Sequence, residues 1–571
     1  MKKQTLVVLC SLVFVAGCTD SLHKEEKADG TIQVQEQEVA LTEVRPQMDA
    51  KRNYMATMRS KSLAVAPMAT GSGAALRNFL DPWPQKSPEW NRESYDARQE
   101  NGFINAAADP LSTFSIDVDT ASYANVRRFV NGGSLPPVGA VRIEEMINYF
   151  SYDYPEPQGK DPFTLTAEVG ASPFHSDYLL ARIGLKAKAL PKEQLPASNL
   201  VFLMDVSGSM QSANKLPLLQ RALPLLVQQL DRKDRVALVV YAGADRVVLE
   251  PTSGDRQQEI LQAIEHLRAG GSTHASSGIR TAYELARKSF IPGGNNRVIL
   301  ASDGDFNVGV TSRDELTRLI EKEREDGIYL TVLGLGMGNY HDDTMEVLAD
   351  KGNGNYAYID SLLEAKKVLV KEMSGTLFAL ANDVKIQVEF NPAQVGAYRL
   401  IGYENRMLAD EDFKDDSKDA GEVGVGHRVT ALYELIPAGH TAIPQLDPLK
   451  YQKVNAVQSA TSDELMTVKL RYKPEGKKAS QQISRAVTAG NKQVSADFQF
   501  ASAVAGYGML LTHSKHLGDF SWQDCLQLAR TGRGADAEGY RAEFYRLVEA
   551  SELLSNEQPK NKPPEPQPTL R

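Results

Sequence analysis

Between residues 198 and 383 short apolar runs alternate with stretches of helical period. Leu200–Met204, Val236–Tyr241, Arg246–Leu249, Arg297–Ala301, Tyr329–Leu335 and Tyr356–Ile359 are largely unbroken by polar positions, which predicts strands buried on both faces. Apolar residues recur at helical spacing in Lys215–Leu230, Arg256–Leu267, Ser276–Ser289, Asp314–Glu325, Asp343–Asp350 and Leu362–Leu380. That order predicts an α/β domain, doubly wound, with a largely parallel sheet. Pro224 falls inside the first of these helices, where a proline costs about 3 kcal/mol or forces a kink. The sequence offers no account of it.

The flanks carry a different period. Phe163–Val169, Ala181–Ala189, Val384–Phe390, Val429–Tyr433 and Met466–Lys473 alternate apolar and polar residues, as half-buried antiparallel strands do. Domain termini usually lie close together, so strands on either side of the α/β domain are expected to share one β-sandwich-like region from which that domain projects. Tyr123–Val130 and Arg142–Phe150 have helical spacing, as do Ser495–Leu511, Trp522–Arg530 and Glu538–Leu554, which predicts a helical C-terminal region. The organisation expected is a leader over 1–17, a flexible tether over 18–84, an N-terminal flanking domain over 85–197 and the α/β domain over 198–383. A C-terminal flanking domain over 384–555 and a disordered, proline-rich tail over 556–571 follow.

Candidate chemistry gathers in three loops. The run Val201–Met204 ends in Asp205-Val-Ser207-Gly-Ser209, Gly270-Gly271-Ser272-Thr273 separates two helical stretches, and Val298–Ala301 ends in Ser302-Asp303-Gly304. Open parallel sheets collect function at the carboxyl ends of their strands, so these loops can converge. Two carboxylates neutralise a divalent ion, and three hydroxyls bind it without adding charge. Oxygen-only donors favour Mg²⁺, with Mn²⁺ or Ca²⁺ as alternatives, over zinc. The competing view is that these groups merely cap helices at a sheet edge, yet no cap requires all five.

Other acidic stretches are less specific. Asp117 and Asp119 invite a metal or phosphatase reading, but Thr120 follows the second Asp one place too early for an Asp-x-Asp-x-Thr site, so helix capping at a solvated strand end is the better account. The run from Asp410 to Asp419 has Lys414 where a calcium loop needs oxygen and Asp415 where it needs glycine, which leaves a solvated loop. There is no Walker loop, His-Glu-x-x-His, Cys-x-x-Cys or Gly-x-Ser-x-Gly, and the nine histidines show no ligand spacing. An enzyme, in particular a metal-dependent hydrolase, is therefore the weaker expectation.

Lys2 and Lys3 precede an apolar run from Leu6 to Ala16 that ends Val15-Ala16-Gly17-Cys18. The run is too short to span a bilayer and suits a signal peptide. Its end resembles the lipobox of bacterial lipoproteins, which implies that Cys18 becomes the lipidated N-terminus of the mature chain. Acyl chains on one residue, at about 0.8 kcal/mol per buried CH₂, anchor a protein without a transmembrane helix. Thr19 is not the Asp that marks inner-membrane retention, so the expected location is the cell envelope, at the outer membrane facing the periplasm where the host has two membranes. Cys10 leaves with the signal, and Cys525 then has no disulfide partner; its helical surroundings predict a small buried hydrophobe. A formal charge of −9 argues against nucleic acid as a partner.

Asp205-x-Ser207-x-Ser209, Thr273 and Asp303 resemble the metal-ion-dependent adhesion site of the von Willebrand factor A domain. By that resemblance Ser207, Ser209 and Thr273 ligate the cation directly, Asp205 and Asp303 act chiefly through bound water, and a partner carboxylate completes the coordination. His274 where Asn or Asp is common, Ser276-Ser277 for a glycine-rich pair and Ser302 for the usual Thr are the departures, and none removes a ligand. In related adhesion domains a change of metal ligands is coupled to movement of the last helix, here Leu362–Leu380. Phe114–Tyr123 and Arg142–Tyr149, with the helical C-terminal region, resemble a bacterial lipoprotein family of the YfbK type, which adds architecture but no substrate. The expected function is a lipid-anchored protein that binds a protein partner presenting Asp or Glu. The alternative is a structural envelope lipoprotein whose metal only stabilises the loops.

Overall fold

The computed structural model describes residues 99–557 with Glu93 and Tyr95, apart from 117–118, 272–274, 305–312, 338–339, 446–461, 490–492 and positions 417, 419, 475 and 478. Cys18, Asp117, Thr273, His274, the leader, the tether and all but two residues of the tail lie outside the described residues. In chain order, β1 (Ile104–Asn105), β2 (Leu111–Ser115), α1 (Ala121–Asn131), α2 (Ile143–Asn148), β3 (Phe163–Ala171) and β4 (Leu179–Ala187) come first. Next are β5 (Ser198–Asp205), α3 (Leu216–Val227), β6 (Arg235–Tyr241), β7 (Asp245–Ser253), α4 (Gln257–Glu265), α5 (Ala275–Lys288) and β8 (Asn295–Ser302). They are followed by α6 (Arg313–Glu325), β9 (Ile328–Leu335), α7 (Asp342–Lys351), β10 (Tyr356–Ile359), α8 (Leu362–Lys366) and α9 (Met373–Leu377).

The central sheet has the order β10-β9-β8-β5-β6-β7, parallel throughout except for β7, which runs antiparallel to β6 at the edge. Every residue of β5 and β8 is buried, because helices cover both faces. Val201, Leu203, Val298 and Leu300 pack with Tyr283, Ile320 and Leu348 on one face, and Phe202, Met204, Ile299 and Ala301 pack with Leu219, Leu223 and Ile260 on the other. The chain leaves β5 toward β6 on one side and later returns to β8 on the other. This reversal makes a topological switch point, and such sheets bind ligands at the carboxyl ends of the strands beside it.

The remaining strands are β11 (Ala379–Phe390), β12 (Val395–Ile401), β13 (Met407–Leu408), β14 (Val423–Gly424), β15 (Arg428–Pro437), β16 (Glu464–Pro474) and β17 (Gln481–Thr488). They build two sheets, β1-β12-β15-β4-β3 and β13-β2-β11-β16-β17 with β14 beside β11. Each sheet mixes strands that precede the α/β domain with strands that follow it. Phe163, Leu165 and Ile183 of one meet Ile386, Val388 and Val468 of the other, giving a sandwich. The chain closes with α10 (Ala496–Leu511), α11 (Trp522–Thr531) and α12 (Tyr540–Glu557). α10 is buried nearly all round and shares a core with Met146 and Ile147 of α2 and Phe544 and Val548 of α12. Cys525 lies in that core, its Sγ donating to the Ala503 carbonyl at 3.3 Å.

Two local expectations change. The stretch Leu362–Leu380 is not one helix: a π turn at Lys367–Lys371 separates α8 from α9, and β11 starts at Ala379. The turn brings the Lys367 ammonium 4.0 Å from the centre of the Tyr149 ring, and Glu372 pairs with it. Asp119 caps no helix; its Oδ1 accepts the backbone N–H of Tyr356 at 2.8 Å, fastening the end of β2 to β10. Acidic side chains of the run 410–419 are held by protein groups. Asp410 accepts the Thr113 hydroxyl at 2.7 Å and Asp416 accepts Arg471 at 2.9 Å.

Candidate metal centre

β5 ends at Asp205, with its carboxylate fully buried. Oδ1 accepts the backbone N–H of Ser207 at 2.8 Å, which turns the chain back so that the next side chains leave the sheet edge together. Ser207 Oγ and Ser209 Oγ lie 2.9 Å apart. Gly208 donates to the Gly271 carbonyl at 3.1 Å and Gly270 to the Val206 carbonyl at 2.8 Å, tying this loop to the one that leads into Thr273. Gly271 has φ +95°, a conformation that glycine alone adopts at little cost.

Asp303 follows β8, the neighbour of β5, and is also buried. Gly304 after it has φ +87°, and a Cβ there would lie 2.8 Å from the His341 backbone nitrogen, so glycine lets the loop fold flat. The Tyr241 and Ser302 hydroxyls each approach Asp205 Oδ2 at 3.3 Å. Burial pushes the Asp205 carboxyl up to about 6; its bonds from Ser207 oppose this and the nearby charge of Asp303 adds to it. Buried carboxylates in such an arrangement need positive charge.

Part of that charge comes from Lys215, just before α3. Its Nζ lies 2.8 Å from Asp303 Oδ2. The lysine stem crosses Gly336, where a Cβ would lie 2.1 Å from Lys215 Cε. The hydroxyl pair supplies a geometric test of fit. The two serine hydroxyls share a hydrogen bond at 2.9 Å, and neighbouring ligands of an octahedral ion bound at about 2.0–2.1 Å would be about that far apart too. Asp205, Ser207, Ser209 and Asp303 are thus brought to one end of the sheet, and their donor set suits a hard divalent cation. Lys215 and Tyr241 escape the motif. A lysine opening an apolar helix, against the helix dipole, was the available signal for the first.

Residues 199–372 match the model of the von Willebrand factor type A domain, 375–554 the model described as "Uncharacterized protein YfbK, C-terminal", and 89–182 that described as "von Willebrand factor". The chain is 45% identical over 471 residues to "Uncharacterized protein YfbK" of Escherichia coli (strain K12), covering 81% of each. It is 28% identical over 175 residues to the "Magnesium-chelatase 67 kDa subunit" of Chlorobaculum tepidum, covering 28% of each. Among solved structures, "von Willebrand factor type A from Catenulispora acidiphila" aligns over 66% of this chain and 89% of its own, at 15% identity and a TM-score of 0.37. With that extent of identity to YfbK, and an α/β domain matching the type A model, this chain belongs to the YfbK family of von Willebrand factor type A domain proteins.

Proposed function

We propose that this protein is a lipid-anchored envelope protein that captures a protein partner through a divalent cation, Mg²⁺ first, held by Asp205, Ser207, Ser209, Thr273 and Asp303. Type A domains generally mediate protein–protein contacts, often with a metal. The observation that carries the metal reading is the convergence of two hydroxyls, Ser207 and Ser209, with two buried carboxylates, Asp205 and Asp303, at the switch point of the sheet. When bound, the cation supplies an electrophilic position for a carboxylate of the partner. The chain's own residues hold the loops: Asp205 orders the Ser207 turn, Gly271 and Gly304 keep the flanking loops close, and Lys215 balances Asp303. These roles are binding roles, and we assign no catalysis.

The anchor rests on Lys2, Lys3 and the apolar run that ends at Cys18. No helix among the described residues is long and apolar enough to cross a membrane. We place the protein at the outer membrane, facing the periplasm, in a two-membrane host. A second reading, a metal that only stabilises the loops, draws on the burial of both carboxylates and on the Lys215 contact. Crosslinking in cells treated beforehand with Mg²⁺ or with chelator, then pull-down, separates the two. A partner recovered with Mg²⁺ and lost with EDTA supports capture; a partner recovered equally in both, or none in either, removes it.

A further inference from the structure

Arg297 lies near the opposite end of β8 from Asp303, on the same face of the sheet as Ile299 and Ala301. It is only 3% exposed. A guanidinium taken out of water needs a counter-charge, because desolvation without one is costly. Arg297 makes no ion pair among the described residues. Nη1 donates to the Thr331 hydroxyl at 2.8 Å, the guanidinium carbon lies 5.4 Å from the centre of the Tyr329 ring, and the buried Nε has no hydrogen-bond partner. Among the described residues, Thr331 alone accepts from its five N–H donors. Burial lowers its pKa, outweighing the pull of Glu422 and Tyr329.

The side chain lines a cavity of about 320 Å³ between the α/β domain and the sandwich, the kind of junction where ligand sites form. Arg324, Lys351 and Arg406 line it too, with the carboxylates of Asp350 and Glu422; Lys351 also pairs with Glu321 at 3.1 Å, and Arg406 lies 3.7 Å from both Asp119 and Glu346. Arg406 holds Asp350 with two bonds at 3.0 and 3.3 Å, and Glu422 accepts the Asn353 amide at 2.6 Å. Gly354, Gly421 and Gly424 supply parts of the wall that carry no side chain.

We infer that this cavity binds a small oxyanion, a phosphate or carboxylate, seated on the Arg297 guanidinium. The planar fork of arginine matches two oxygens of such a group. The site is separate from the candidate metal centre and does not depend on it.

The test titrates the purified mature protein with inorganic phosphate and, separately, succinate. EDTA keeps divalent ions out and sodium chloride fixes the ionic strength. Calorimetry should give a saturable heat near one anion per chain for at least one probe, and the melting temperature should rise with its concentration; which probe saturates first identifies the oxyanion. Arg297→Met should abolish both responses, and its anion-free melting temperature should equal or exceed that of the wild type. Arg297→Lys keeps the charge without the fork and should weaken binding about tenfold, which preserves the test if the methionine variant fails to fold. Arg256→Met, at an exposed arginine, should bind as the wild type does. No saturable heat with either probe, or equal affinity in wild type and Arg297→Lys, would overturn the inference and leave Arg297 a solvated structural residue.

Discussion

Replacing Lys215 with methionine isolates the charge that balances Asp303. Methionine keeps an unbranched stem to lie across Gly336, so packing changes little and the ammonium is lost. The ammonium and carboxylate are 2.8 Å apart, with side chains 11% and 2% exposed, so the pair counts as buried. Removing one partner of such a pair costs about 3–5 kcal/mol, mostly because the other charge is left uncompensated. In EDTA, urea unfolding of Lys215→Met should show that loss. With saturating Mg²⁺ the cation should compensate Asp303 instead, and the loss should shrink to about 1 kcal/mol. A thermodynamic cycle then requires the variant to bind Mg²⁺ more tightly by about 2–4 kcal/mol, at least thirtyfold in affinity. Paired urea titrations in EDTA and Mg²⁺, with a direct Mg²⁺ titration of each protein, measure both sides of that cycle. Equal losses in the two conditions would refute the reasoning, because Lys215 and the cation would then not share Asp303.

Other parts of the account are open to simpler tests. Cys18→Ser should move the protein out of the membrane fraction as a soluble or unprocessed form, and unchanged attachment on fractionation would reject the lipid anchor. Phe544 lies in an aromatic cluster, with its ring 5.6 Å from Phe150 and 5.3 Å from Phe500; Phe544→Ala should cost about 3–5 kcal/mol in urea unfolding, and a loss below about 1 kcal/mol would contradict the docking of α12 in this core. Burial pushes the Cys525 thiol well above its ordinary range, so iodoacetamide should label it only in denaturant, as read by peptide mass mapping, and rapid labelling of the native protein would contradict its place in the core.

The α/β domain was legible because strands buried on both faces must be apolar throughout, as β5 and β8 are, and because the covering helices carry one apolar face each. The site was legible where its residues are consecutive, as in Asp205, Ser207 and Ser209. It was hidden where a contact is long-range: Lys215 meets a residue 88 positions away. β12 escaped notice because Gly396 and Arg399 interrupt its apolar pattern, yet Arg399 is fully buried there against Glu434 at 3.0 Å. β17 is mostly polar, and its pairing along β16 sets its conformation. Helical periodicity does not report a π turn, so the break at Lys367 could not be read from Leu362–Leu380. Pro224 stays within the last turn of α3, and nothing in the structure explains why proline is used there.

Partner capture depends on these loops holding a divalent cation. Calorimetric titration of the metal-free protein with Mg²⁺, repeated on Asp205→Ala, tests it most directly. The account predicts one saturable site in the wild type and none in the variant, with the variant still showing a cooperative urea transition. No saturable binding to the wild type, or the same isotherm for both proteins, would contradict it.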